Sequence, residues 1–429
     1  MSRIRIVKGK IYEKVEGDLQ YYSETDIIEN SADVYSEDSA KSISHSGSPS
    51  KPPAGEINAK CLVKFRPGEK YVGQYGFDWI RVADTKLNGD TPYKDIICNK
   101  NGVPPDANEF SLLKNRFDKL LVVQKKITYI IPELNLYPGF EAQLILYIDI
   151  QEKPEKIILK YDSKYLDLRG KSEIKNLSVT PSGKPHQEYL TVYAKEACSK
   201  NNYIEAYAID KNKKEQLVGK LKVLPNKTVF KLPVVFVGVT TNLSGVKGNA
   251  KTGSYIGEYK NLFTLYRQAL VKPELKYIQK FDVSADPEVM SYKTAGGIAY
   301  EKTVGSKKKY LHYRLETLLN AKHPEFKTYY KVFFFADSCP GTAGVALLNT
   351  QLTIVFTPRN PATTVHELLH AVGLPHTWEK GNKGTDINGF IFEKKKTDNV
   401  MDYSSIRYSL WKWQWKKLQS KSTSHQYKP

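Results

Sequence analysis

The sequence predicts a multidomain chain: a β-rich N-terminal and middle region containing an antiparallel β-sandwich, followed by an α/β (α+β) domain. Three observations predict it. The chain has 429 residues, more than one compact domain usually holds. Between 121 and 230, short segments alternate apolar and polar residues and are separated by turn formers. Beyond Pro233 the rhythm changes to strands interleaved with helical spacings. The expected divisions are an N-terminal segment and flexible arm (1–57), a small β-rich region (58–120), the sandwich (121–230) and the α/β domain (231–429).

The arm is read from 26–57, which is rich in Ser, Asp, Glu, Gly and Pro and has no apolar period. In 60–82, strand-like clusters flank the Pro67-Gly68 turn, and Tyr71, Tyr75, Phe77 and Trp79 read as packing residues, with a partner-binding face as the other reading. The run LVVQKKITYII, FEAQLILYIDI, KIILKYD, EYLTVYA, YIEAYAI, LVGKLKV gives about seven short strands, the pattern of an Ig-like sandwich. It carries no catalytic cluster, so a spacer or binding module is expected there. In 231–429 a strand VVFVGV (234–239) precedes helical spacings over 258–270 and 309–321. Strands follow at 331–337, 344–348 and 351–357, and then a helix opens near Pro361.

Composition bounds the function. Hydrophobic residues make up 40% of the chain, enough for real cores. No run approaches the ~20 apolar residues of a membrane-spanning helix, so no transmembrane segment is expected. Cys61, Cys98, Cys198 and Cys339 are scattered, with no CxxC pair, which argues against a disulfide framework or a cysteine zinc module. The N-terminus shows no apolar signal-peptide core, so the expected location is either the cytoplasm or outside the cell by a signal-independent route. The net charge of +19 divides as −3 for 1–57, +8 for 58–230 and +14 for 231–429. It accompanies no nucleic-acid motif, so no nucleic-acid partner is expected. An anionic envelope surface or acidic target fits what remains.

Chemistry concentrates in PATTVHELLHAVGLPH, 361–376. His366 and His370 are four apart, so on a helix both imidazoles leave one face and can converge on one Zn²⁺. Glu367 then sits beside the metal rather than on it, where a carboxylate can act as general base on water. Thr363 or Thr364 is expected to cap the helix. Gly373 ends it in a turn that returns His376 to the same metal. Three histidines with one open position describe a catalytic zinc site rather than a structural one.

HELLHAVGLPH resembles the HExxHxxGxxH signature of the metzincin zinc metallopeptidases, and TDNVMDYSS (397–405) resembles their methionine turn. The resemblance implies a metzincin-like peptidase domain over about 232–418, acting on a protein or peptide substrate. It implies Met401 as an apolar floor beneath the imidazoles, and an edge strand, sought within LLNTQLTIVF (347–356), that pairs with extended substrate. Tyr403 matches a tyrosine that some metzincins place near the zinc; catalysis and packing under the site both stay open for it. Residues 377–400 and the aromatic tail YSLWKWQWKKL depart from the better-known branches, so the specificity pocket is not carried over. Latency by Cys61 or Cys98 finds no switch motif, and both read as buried thiols. The opening MSRIRIVKGKIYEKVEGDLQYYSE with KFRPGEKYVGQYGFDWIR resembles segments of Bacteroidetes type VI secretion cargo. That resemblance implies an exported effector or toxin with the type VI secretion machinery as a partner. The rival reading is an adhesive β-sandwich protein with a vestigial zinc site.

Overall fold

The structure is a computed structural model that describes residues 59–122, 127–179, 184–379 and 390–427. The chain divides into two compact units, Met1–Asn58 and Ala59–Pro429. The expected arm at 26–57 lies outside the described residues.

The N-terminal part of the larger unit is β-rich. One sheet orders Lys60–Pro67, Glu141–Glu152, His186–Ala194 and Leu166–Asp167, all antiparallel. A second orders Glu173–Ile174, Lys156–Lys160, Asn202–Ile209, Glu215–Val223, Glu133–Asn135 and Gly76–Asp78. Alternation explains the strands: in Asn202–Ile209, Ile204, Ala206 and Ala208 are buried while Tyr203, Glu205 and Tyr207 between them are partly exposed. The sheets meet where Gly219 lies against Val63, so closely that a Cβ there would stand 2.3 Å from the Val63 carbonyl oxygen.

Two expectations need correction. The second sheet is not purely antiparallel, because Glu133–Asn135 runs parallel to Glu215–Val223. The division at 120 does not separate two sheets either. Leu62, Val63 and Phe65 are buried, and Lys60–Pro67 pairs with Glu141–Glu152 from Lys60↔Glu152 to Pro67↔Leu144. A strand with that much apolar surface needs a sheet beside it. The region 58–120 also holds two short helices, Tyr93–Ile96 and Ala107–Lys114, the second capped by the Asp106 carboxylate on the Glu109 N–H at 2.8 Å. Tyr71, Tyr75, Phe77 and Trp79 are buried, as packing residues should be.

The C-terminal part is built on a mixed sheet. Its main elements are β1 (Thr228–Thr241), α1 (Glu258–Arg267), β2 (Val271–Asp282), α2 (Leu311–Lys322), β3 (Tyr330–Phe334), β4 (Gly344–Ala346), β5 (Leu352–Val355), α3 (Thr363–Val372), α4 (Lys412–Ser420) and β6 (Thr423–Gln426). β2 and β3 flank β1 in parallel, β5 joins β3 in parallel, and β4 closes the edge antiparallel to β5. β6 pairs antiparallel with the start of β1. β1 is apolar almost throughout because both faces are covered. Val234 and Phe236 face a core with Leu262 and Tyr266 of α1, Val365, Leu368 and Leu369 of α3, and Trp415 and Leu418 of α4. Val235, Val237 and Val239 face a second core with Leu311, Leu315 and Leu319 of α2.

The strand sought within 347–356 is displaced. Residues 347–350 form a turn, with the Thr350 N–H on the Leu347 carbonyl at 3.2 Å and Asn349 at φ +57°, so the apolar run is split. β5 lies inside the sheet, and the edge is β4. Among the described residues no helix is long and apolar enough to cross a membrane. All four cysteines are buried and unbridged.

Candidate metal centre

Helix α3 presents the first two histidines. Its start is fixed by Asn360, whose Oδ1 accepts from the Ala362 N–H at 2.9 Å and lies 3.2 Å from the Thr363 hydroxyl. Thr363 and Thr364 are therefore inside the helix and buried, not its cap. The helix stops at Gly373, φ +103°, with the Gly373 N–H on the His370 carbonyl at 2.8 Å and the Leu374 N–H on the Leu369 carbonyl at 3.0 Å. A side chain at 373 would occupy the left-handed region and meet Asn349 Oδ1 at 3.0 Å and Lys417 Cε at 3.1 Å. We expect Gly373→Ala to lower stability by about 1–2 kcal/mol and to weaken metal binding by shifting His376, as thermal melts with and without zinc would record.

The turn brings three ring nitrogens together. Nε2 of His366 lies 3.1 Å from that of His370 and 3.3 Å from that of His376, and the His370–His376 separation is 3.1 Å. Their other nitrogens are already engaged. Nδ1 of His366 lies 2.8 Å from the Val400 carbonyl and Nδ1 of His370 lies 2.7 Å from the Leu374 carbonyl. Nδ1 of His376 lies 2.7 Å from Glu379 Oε1. A carbonyl can only accept, so His366 and His370 carry their proton on Nδ1 and turn a bare lone pair inward at Nε2. Lone pairs so close repel unless a cation lies between them. Tetrahedral ligation at ~2.0–2.1 Å places ligand nitrogens about 3.3 Å apart, which this triangle fits. Burial lowers the pKa of His366 to about 3, with His370 and His376 adding to it, and that of His370 to about 4, with His376 adding to it, so both rings are neutral at pH 7.

Glu367 stands next to this triangle but is not one of the converging residues. Its carboxylate accepts a hydrogen bond from the Ala346 N–H on edge strand β4. Burial pushes its pKa up to about 7, held back by that bond and by the Arg407 charge. β4 comes this close because Gly344 has no side chain: a Cβ there would lie 2.8 Å from Glu367 Cγ.

The segment expected to form the methionine turn packs against helix α3. Met401 is fully buried in one core with Leu368 and Leu369. Its N–H is held by Asn399 Oδ1 at 2.9 Å, and its carbonyl accepts from the Thr377 N–H at 3.3 Å. Tyr403 is partly exposed, its ring centroid 4.7 Å from His376 and 5.5 Å from His366. Trp378 stacks on His376 at 4.3 Å with rings 12° apart, and Lys394 Nζ lies 4.8 Å from the Trp378 ring and 5.1 Å from the Tyr403 ring.

Of the six residues expected at the site, His366, His370 and His376 converge, Tyr403 lies against two of their rings, Glu367 follows His366 on the helix, and Met401 is tied to the segment through the Thr377 N–H. The sequence reading missed Trp378 and Glu379, although they lie two and three residues after the third histidine, and Gly344 and Ala346, which only the tertiary fold brings to Glu367. It also missed Arg81, whose Nη2 lies 2.8 Å from Asp398 Oδ2 at the root of the methionine turn.

No protein-family model matches the chain, and no curated protein does. Among solved structures, the PKD domain of an M14-like peptidase from a Thermoplasmatales archaeon is similar at 14% identity, with 22% of this chain and 86% of that one covered. Its TM-score is 0.14, too low to carry a fold assignment.

Proposed function

We propose that the chain is a zinc-dependent endopeptidase of the metzincin kind. The observation that carries this is the triangle of inward-turned His366, His370 and His376 Nε2 atoms with the Glu367 carboxylate beside it. Zinc held there would polarise a scissile carbonyl and acidify water. Glu367 takes the proton from the attacking water and passes it to the leaving amine, a task for which a carboxyl titrating near 7 is suited. Edge strand β4 offers backbone to an extended peptide on the side where its Ala346 N–H already meets Glu367. Tyr403, open to solvent beside two imidazoles, is placed to hydrogen-bond the oxyanion that develops. The order β2-β1-β3-β5-β4, three parallel neighbours and one antiparallel edge ahead of the zinc helix, supports the same assignment. An exported effector acting on an envelope or cell protein is the setting that the type VI cargo resemblance supports.

Incubation of the purified protein with casein provides the test. Cleavage should vanish on chelation with 1,10-phenanthroline and return with added zinc. Cleavage indifferent to chelation, or a zinc-loaded protein inert toward casein and mixed peptides, would sink the proposal.

A further inference from the structure

The geometry points to Glu379 as the positioning residue of the third metal ligand, setting the orientation of His376 and thereby the zinc affinity. The inference rests on the metal site proposed above, though not on its peptidase activity. His366 and His370 are held by their helix and by backbone carbonyls. His376 is different. It lies beyond Gly373, on chain that no helix constrains, and a carboxylate supplies what the helix does not. Glu379 Oε1 meets its Nδ1 at 2.7 Å, and Oε2 accepts from its backbone N–H at 3.1 Å. One carboxylate thus grips both the ring and the main chain of a residue three positions earlier. Trp378, stacked on the ring, closes one face of the imidazole. Thr377 ties the base of the segment to the Met401 carbonyl and accepts from the Phe392 N–H at 3.0 Å.

The chemistry follows from the acceptor. A carboxylate on Nδ1 fixes the orientation of the ring and leaves Nε2 turned to the metal. It is the one anionic acceptor on the three rings and offsets part of the charge that a divalent ion brings. Removing such a partner typically costs 10–100-fold in metal affinity. The rival explanation is a loop staple with no influence on the metal.

Zinc dissociation constants, measured by competition with a chromophoric chelator, should separate the two. Glu379 is partly exposed, so truncation leaves no buried hole and Glu379→Ala should fold. We expect about 10–100-fold weaker zinc binding in Glu379→Ala, with apoprotein melting close to the parent. Glu379→Gln keeps one acceptor oxygen but sets an amide nitrogen against the His376 N–H, and should fall between. The cobalt-substituted variant should show an altered visible spectrum. Zinc binding within twofold of the parent in both variants, or lost apoprotein stability with unchanged zinc affinity, overturns the inference. A parent that binds zinc but cleaves nothing refutes the peptidase reading alone and leaves this comparison intact.

Discussion

Glu367→Ala is expected to retain its zinc and to lose casein hydrolysis by a factor of about 10²–10⁴, the usual share of a positioned general base. Retention follows because the converging ligand set is His366, His370 and His376, each with its Nδ1 held by a group the substitution leaves alone. Loss of turnover follows because Glu367 carries the carboxylate that meets edge strand β4 next to His366, while the Glu379 carboxylate is engaged with Nδ1 of His376. The substitution removes a partly shielded carboxyl and frees the Ala346 N–H, which water can satisfy at an open edge. Metal analysis beside a casein digest reads both halves of the prediction. Zinc lost along with activity would make Glu367 a structural partner of the site, and undiminished cleavage would remove it from the mechanism. Glu367→Gln, which preserves shape and can still accept from Ala346, separates the proton from the space it fills.

The site was legible where its chemistry is local. Histidines four apart on a helix, a glycine that must turn left-handed and a histidine three residues later need only helical geometry to be read as one cluster. The strand β1 was legible because an unbroken apolar run signals burial on two faces. β2 was not. Its alternation of buried Val271, Pro273 and Ile278 with Lys272, Glu274, Lys276 and Lys280 is irregular, and its partner β1 lies far back in sequence. The two strands within 344–357 were legible, but the edge was misplaced because only the pairing of Leu352–Val355 with Tyr330–Phe334 puts it inside the sheet and leaves Gly344–Ala346 outermost. The cap was misassigned because Asn360, just ahead of Pro361, performs the task expected of the threonines. What remained hidden is long-range pairing of single residues, above all 68–98 against 391–412.

That hidden pairing carries the second large effect. Arg81→Ala should destabilise the folded protein by about 3–5 kcal/mol, the cost of leaving one member of a buried ion pair alone. Arg81 is fully buried, its guanidinium 3.0 Å above the Trp79 ring and its Nη2 on Asp398 Oδ2. Asp398 in turn accepts from the Ser409 hydroxyl at Oδ1, and its carbonyl receives the N–H groups of Tyr408 and Ser409 at 2.9 and 3.0 Å. It stands three residues before Met401, so the segment that carries Met401 is anchored on a residue from the β-rich region. Other contacts run the same way: the Lys412 N–H on Asp78 Oδ2 at 2.9 Å, the Trp411 Nε1–H on the Tyr93 hydroxyl at 2.8 Å, and Ile391–Phe392 paired with Ile97–Cys98. Urea unfolding of Arg81→Ala, Asp398→Ala and the double variant Arg81→Met/Asp398→Leu tests the account. Each single variant should lose stability and zinc together, and the double variant should recover part of both, because it leaves no unpaired buried charge. A loss below 1 kcal/mol in either single variant would show the pair to be incidental. With the pair intact, residues 231–429 depend on 59–135 for the ground beneath their methionine turn, and expressed alone they should fail to hold zinc at parental affinity.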